Sequence, residues 1–251
     1  MAAKGMDPLG QFTLVPGLGP IGKLVNFTNS NEMMLLAALI IVFTMSAGLA
    51  SRAVVPGRLQ GVVEMFYEFT HKLVTDTIGE EGKRFFPFVF LIFSFVLVGN
   101  LLGLFPYFFP FTSHIAVTFS IALFIFVLST VLGFVFQGVR FLKLFAPSGV
   151  PVWLLPLLVP IEVITYLTRP ISLSVRLFAN ITAGHVMWEV FAGFMLLLTA
   201  SLGAVGIFAS IIPLGLNFAL TALEFLVAVL QAYVFAVLTC LYLNDAVHGH
   251  D

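Results

Sequence analysis

Ile171–His185 reads ISLSVRLFANITAGH, and its single charge, Arg176, decides the fold. The stretch lies in a C-terminal third that is otherwise apolar for about seventy residues. A charge at the centre of a membrane span costs about 2.5–3.5 kcal/mol on insertion scales, and is tolerated when it faces a partner, a counter-charge or a water-filled cavity. Arginine keeps its proton at any useful pH, so this charge is permanent. A fixed cation inside a membrane protein can exclude other cations or hold a carboxylate in its ionised form.

Composition puts the rest of the chain in the bilayer. Hydrophobic residues make up 60% of the 251 and charged residues 9%, with a mean hydropathy of +1.11. So few charges cannot cover the surface of a soluble domain, which makes this an all-α integral membrane protein. Seven of the eleven basic residues fall in two loops, and no Lys or Arg follows Arg176, a layout that excludes a nucleic-acid partner. Cys240 is the only cysteine, which leaves neither a disulfide framework nor a cysteine metal site.

Working outward, about five membrane segments and one surface helix are expected. Residues 1–32 form a Pro/Gly-rich tail, and Met33–Ala50 is a first span of barely sufficient length. A cleaved leader needs a basic stretch directly before its apolar core, so residues 33–50 are expected to be retained, with cleavage near Ser51 as the lesser alternative. Across residues 51–84, Val62, Val63, Phe66, Phe69, Leu73 and Val74 recur at helical spacing among Glu64, Glu68, His71 and Lys72. That pattern predicts an amphipathic helix on the membrane surface, or a loop helix packed on a partner. Residues 85–137 read as a helical hairpin, with spans Phe85–Phe109 and Ile115–Gln137, and residues 138–151 as a loop. Residues 152–243 break into only two segments, one ending near Ala200 and one running from about Gly206 to Leu243, followed by a tail at 244–251. The second segment would be about 57 Å long at 1.5 Å per residue. A hydrocarbon core is only about 30 Å thick, so these helices are expected to be tilted, curved or kinked. Arg52, Arg58, Lys72, Lys83 and Arg84 in one loop and Arg140 and Lys143 in the other mark the cytoplasmic side. The N-terminus is then outside and the C-terminus inside.

Besides Arg176, the apolar C-terminal region holds Glu162, Arg169, His185, Glu189 and Glu224, with amides at Asn180 and Gln231. Glu162, Arg169 and Glu189 are close enough to the segment ends to snorkel. At 100° per residue Glu162, Arg169, Arg176 and Asn180 share one side of a helix, and His185 faces the opposite side. Glu224 and Gln231, seven apart, share a face of the last helix. In an antiparallel hairpin, His185 opposite Glu224 and Arg176 opposite Gln231 both put the turn between residues 203 and 205, inside SLGAVG at Ser201–Gly206. A histidine–carboxylate pair there can pass protons. A permanent cation about 13 Å further along cannot, so such a path needs a mobile proton carrier that is not in this sequence.

RLFANITAGH at Arg176–His185, the preceding RPISLSV, and ALEFLVAVLQAYVFAVL at Ala222–Leu238 resemble subunit a of the F-type ATP synthase. NLLGLFPY at Asn100–Tyr107 and DPLGQF at Asp7–Phe12 fit the same family, so the resemblance runs nearly end to end. It implies one upright helix, a surface amphipathic helix, a helical hairpin and two long inclined helices that wrap a ring of c subunits. By the same resemblance Arg176 faces the ring carboxylates and His185 and Glu224 line a half-channel open to the outside. Asn180 and Gln231 neighbour the arginine, and Glu162 belongs to the cytoplasmic half-channel; Glu189 and Arg169 are secondary candidates. Gly103 stands where some bacterial relatives carry an acid. The implied partners are the c ring, b-type peripheral stalk subunits, the catalytic head and lipid. No cofactor or metal is implied, the transported ion being the proton, and no catalytic site is expected on this chain. The implied location is the bacterial inner membrane, ahead of the mitochondrial one. The competing class is a stand-alone ion-coupled transporter with Arg176 as substrate or gate residue, which predicts an internal repeat. A third, an intramembrane enzyme using His185 with Glu189 or Glu224, lacks a nucleophile or metal triad.

Overall fold

The computed structural model describes residues 12–14, 27–50, 56–105, 108–145 and 153–248. Most of the Pro/Gly-rich tail, the basic residue Arg52 with the alternative cleavage point at Ser51, and the end of the 138–151 loop lie outside them. The described residues are almost wholly helical: α1 Asn29–Ala50, α2 Arg58–Ile78, α3 Phe86–Gly103, α4 Ile115–Gln137, α5 Leu155–Leu202, α6 Ala204–Ala209 and α7 Ile211–His248. Five helical stretches are long and apolar enough to cross a membrane, and the amphipathic α2 is separate from them.

Helix α1 is apolar all round and buries only Ser30, Ala37 and Gly48, the pattern of a helix surrounded by lipid. It begins four residues before the expected Met33, because the Thr28 carbonyl accepts from Asn31 and Glu32 and the Asn29 side chain caps Ser30. Helix α2 buries Gln60, Val63, Thr70, Val74 and Ile78, one stripe at helical spacing, and exposes Val62, Glu68 and Phe69. Gly79 ends it at φ 83°, its N–H returning to Thr75. A 3-10 turn over Glu80–Phe85 follows, stitched by the Lys83–Glu80 and Arg84–Glu81 pairs.

Helix α3 ends at Gly103, short of the expected Phe109. Pro106, three residues on, has no N–H to extend the ladder. After α4 the chain does not loosen into the expected loop at once: Gly138–Phe145 forms a 3-10 extension, with Phe141 seated against Gly133. Pro160 and Pro170 lie inside α5, whose 48 residues stay one helix. At about 72 Å it is more than twice as long as a hydrocarbon core is thick. Gly203, at φ 56°, turns the chain, and at Gly206 a side chain would collide with the Leu198 backbone, so the α5–α7 hairpin closes on a glycine.

Helix α7 is the centre of the bundle and packs against α3, α4 and α5. It presents Ala228, Ala232, Ala236 and Cys240, every fourth residue and all fully buried. That stripe of small side chains lets neighbouring backbones approach closely. Val89, Ile92, Phe93, Val96 and Leu97 of α3 and Leu173, Leu177 and Ile181 of α5 complete the core. Helix α7 also runs through His248, beyond the expected limit at Leu243. Gln137 of α4 donates its side-chain amide to the Asp245 and Ala246 carbonyls, which satisfies groups a helix end leaves open.

Candidate functional site

Leu173, Leu177 and Ile181 turn α5 inward, so the opposite face, with Ser172, Val175, Arg176 and Ala179, is exposed. Among the described residues Arg176 has no hydrogen-bond or ion-pair partner. A permanent cation inside an apolar span thus stands exposed, without an ion pair among the described residues. Asn180, one turn on, is half-buried.

Nine residues past Arg176, about 13 Å along the axis, His185 is buried on the inward face. Its ring lies within reach of the Gly103 backbone at the end of α3. Nε2 is buried without a partner among the described residues. Glu224 of α7 comes to the same place, its Oε1 also buried and unpartnered. Both side chains, with Glu189, line one cavity of about 510 Å³, roomy enough for several waters.

Sequence reading missed one polar residue that lines this cavity, Asn217, and two residues that pack the helices beside it. Asn217 lies seven residues before Glu224, as Gln231 lies seven after, so all three share one face of α7. That spacing was the available signal. Asn217 is buried, donates to the Trp188 carbonyl at 3.4 Å and leaves Oδ1 unpartnered. Gly184 is the second omission: a Cβ there would stand 2.6 Å from Glu224 Cδ, so only glycine lets the carboxyl lie against α5. The third is Asn100 of α3, fully buried, which donates to the Ala228 carbonyl at 3.2 Å and leaves its own carbonyl open. Thr182 and Gln231 add two more buried, unpartnered oxygens. Buried polar atoms without protein partners are the ones that ordered water satisfies.

Arg169 does not share Arg176's surroundings. It pairs with Asp245 near the end of α7 at 3.4 Å, and its guanidinium lies 5.5 and 5.8 Å from the Tyr166 and Tyr242 rings. Tyr166 in turn bonds Thr130 of α4 at 2.8 Å. Glu162, two turns before Arg169 on α5, is half-buried and forms no ion pair among the described residues. Two polar zones therefore flank Arg176 along α5. One surrounds His185 and Glu224; the other, toward the helix start, holds Glu162, Tyr166 and Arg169.

Residues 32–244 match the family model described as ATP synthase A chain. The chain is 69% identical over 246 residues to the ATP synthase subunit a of Acidiphilium cryptum (strain JF-5), covering 98% of each chain. It is 58% identical over 245 residues to that of Granulibacter bethesdensis, again with 98% of each covered. The corresponding protein of Mesorhizobium japonicum is 54% identical over 251 residues, with 99% of each covered.

Proposed function

This chain belongs to the ATP synthase A chain family, and from that membership we propose how its buried polar residues carry protons. Its function is the family's: a proton-translocating, multi-pass subunit in the membrane sector of the ATP synthase, working in a complex with other subunits. The finer reading assigns two offset half-paths that end on either side of Arg176. Protons enter from outside through the cavity lined by Glu189, His185 and Glu224. His185 Nε2 accepts and releases them. The proton then neutralises a carboxylate on a ring of c subunits passing the exposed face of α5. It leaves toward the cytoplasm past Glu162. Asn180 and Gln231 line the approach to the arginine, and b-type stalk subunits hold the chain still against the ring.

In this reading the two long helices cross the membrane inclined and curve along the ring, with the N-terminus outside and the C-terminus cytoplasmic. The protonated carboxyl group returning from the ring is met by Arg176, which favours its ionised form and bars protons from passing directly between the half-paths. Each proton gains about 2.3 kcal/mol per 100 mV in crossing, and several together drive synthesis in the catalytic head.

The observation that carries this reading is the opposed placement of Arg176, exposed and without an ion pair among the described residues, and of buried His185 with half-buried Glu224 around one cavity. The test is Arg176→Ala in the whole complex. ATP-driven proton pumping into inverted vesicles is expected to vanish while the subunit stays assembled, and Arg176→Lys to restore it poorly, since an ammonium lacks the planar donor fork. Normal pumping by the Ala variant would overturn the proposed role.

A further inference from the structure

Phe12 lies well before α1 in the sequence, yet its ring meets His185 edge-on, with centroids 6.0 Å apart and planes at 81°. The segment carrying it is held at two adjacent carbonyls. The His114 ring lies within reach of the Phe12 carbonyl, with its Nε2 buried and unpartnered among the described residues. Asn29 Nδ2, at the start of α1, donates to the Thr13 carbonyl at 3.3 Å. His114 is itself fixed by stacking on Phe109 at 5.2 Å. Three separate parts of the fold thus converge to place one aromatic side chain against the imidazole of the cavity.

That convergence has a use. A histidine's χ2 is a broad torsion with no sharp staggered well. Contact with the Gly103 backbone on one side leaves the ring free to pivot and swing Nε2 away from the cavity. An edge-on ring on a second side removes that freedom. We propose that Phe12 is a positioning residue for His185, and that residues 12–14 are a strap, pinned by Asn29 and His114, that keeps Nε2 aimed into the proton path. The inference rests on the proton role assigned to His185 above. It gives the DPLGQF stretch, of which Phe12 is the last residue, a part in translocation.

The test measures ATP-driven proton pumping by the complete enzyme in inverted vesicles, normalised to the amount of the subunit incorporated. An edge-on aromatic contact sets the scale, so Phe12→Ala and Phe12→Leu are expected to pump about two- to tenfold more slowly. Phe12→Tyr, which keeps the ring edge, should recover at least half the native rate. Leu14→Ala, an exposed neighbour two residues on, should change nothing. In a His185→Gln background, the further loss from Phe12→Ala should shrink to less than twofold, because the residue it positions is gone. The same loss factor in both backgrounds would overturn the proposal, as would full pumping by both the Ala and Leu variants. Loss of the subunit from the complex with both variants would make Phe12 a structural anchor and overturn it too. Full pumping by His185→Gln alone would instead remove the proton role of His185, a failure distinct from that of the strap.

Discussion

Gly184→Ala separates the position of a carboxyl group from the stability of the helix that carries the change. An added Cβ would lie 2.6 Å from Glu224 Cδ, where ordinary contact begins at 3.4 Å, and closer still to Oε1. The group in the way is the far end of a flexible side chain, so the carboxyl, not the backbone, moves by about 1 Å. Forcing the side chain off its rotamer costs about 0.5–1.5 kcal/mol, a factor of about two to twelve. A 1 Å misplacement of a reacting group can cost as much as about a hundredfold. Pumping is therefore expected to fall about tenfold. Replacing glycine by alanine inside a helix, meanwhile, gains about 0.8–1 kcal/mol of helix propensity, so heat stability of the complex should hold or rise. The assay is ATP-driven quenching of a pH-sensitive dye in inverted vesicles, beside the thermal midpoint of the purified complex. Adding Glu224→Asp, which withdraws the carboxyl by about one carbon–carbon bond of 1.5 Å, should harm the Gly184→Ala background less than it harms the native one. Pumping within twofold of native, or losses that multiply independently, would refute the idea that Gly184 exists to seat Glu224.

Two further outcomes follow from groups outside that cavity. Arg169→Met and Asp245→Asn should each weaken the junction of α5 with the end of α7, and a double-mutant cycle on unfolding should return a coupling of about 1–2 kcal/mol; a coupling near zero would mean that the 3.4 Å pair is incidental. Burial pushes the His114 pKa below its usual 6.5, with the neighbouring Phe12 carbonyl opposing it. A lowered imidazole pKa stabilises the folded arrangement fully above 6.5, and that contribution is lost as pH falls through the folded value. Amide exchange at residues 12–14, corrected for intrinsic rates, should thus quicken on acidification from pH 7.5 to 5, and His114→Gln should abolish the response; equal protection at both pH values would contradict it.

Much of the fold was legible because a bilayer allows so few solutions. Runs such as Ile115–Gln137 have no use but to span, and α4 has those very limits. The ends were less legible because they depend on distant partners: nothing local says that Gln137 will cap the carbonyls of Asp245 and Ala246 and carry α7 on to His248. The cavity was legible where charge in an apolar segment announces itself, at His185, Glu189 and Glu224. The packing beside it was illegible at Gly184, whose contribution is the absence of a side chain, and at Asn100 and Phe12, which arrive from other parts of the chain. Asn217 was overlooked because an uncharged amide stands out less than an acid, although its seven-residue spacing to Glu224 was in plain view. Arg169 and Arg176 shared a face on a helical wheel. The aromatic rings of Tyr166 and Tyr242 and the carboxylate of Asp245 draw only Arg169 inward.

The account stands most directly on where Arg176 points. With Cys240 replaced and Arg176→Cys as the only cysteine on this chain, a short thiol crosslinker in native membranes should join position 176 to a cysteine introduced beside the carboxylate of a ring subunit. Little product should form when a second cysteine is placed instead at Ala228, buried on α7 of the same chain. Efficient crosslinking to α7, with none to any ring subunit, would turn Arg176 into an internal counter-ion of the bundle and leave the two half-paths without a separator.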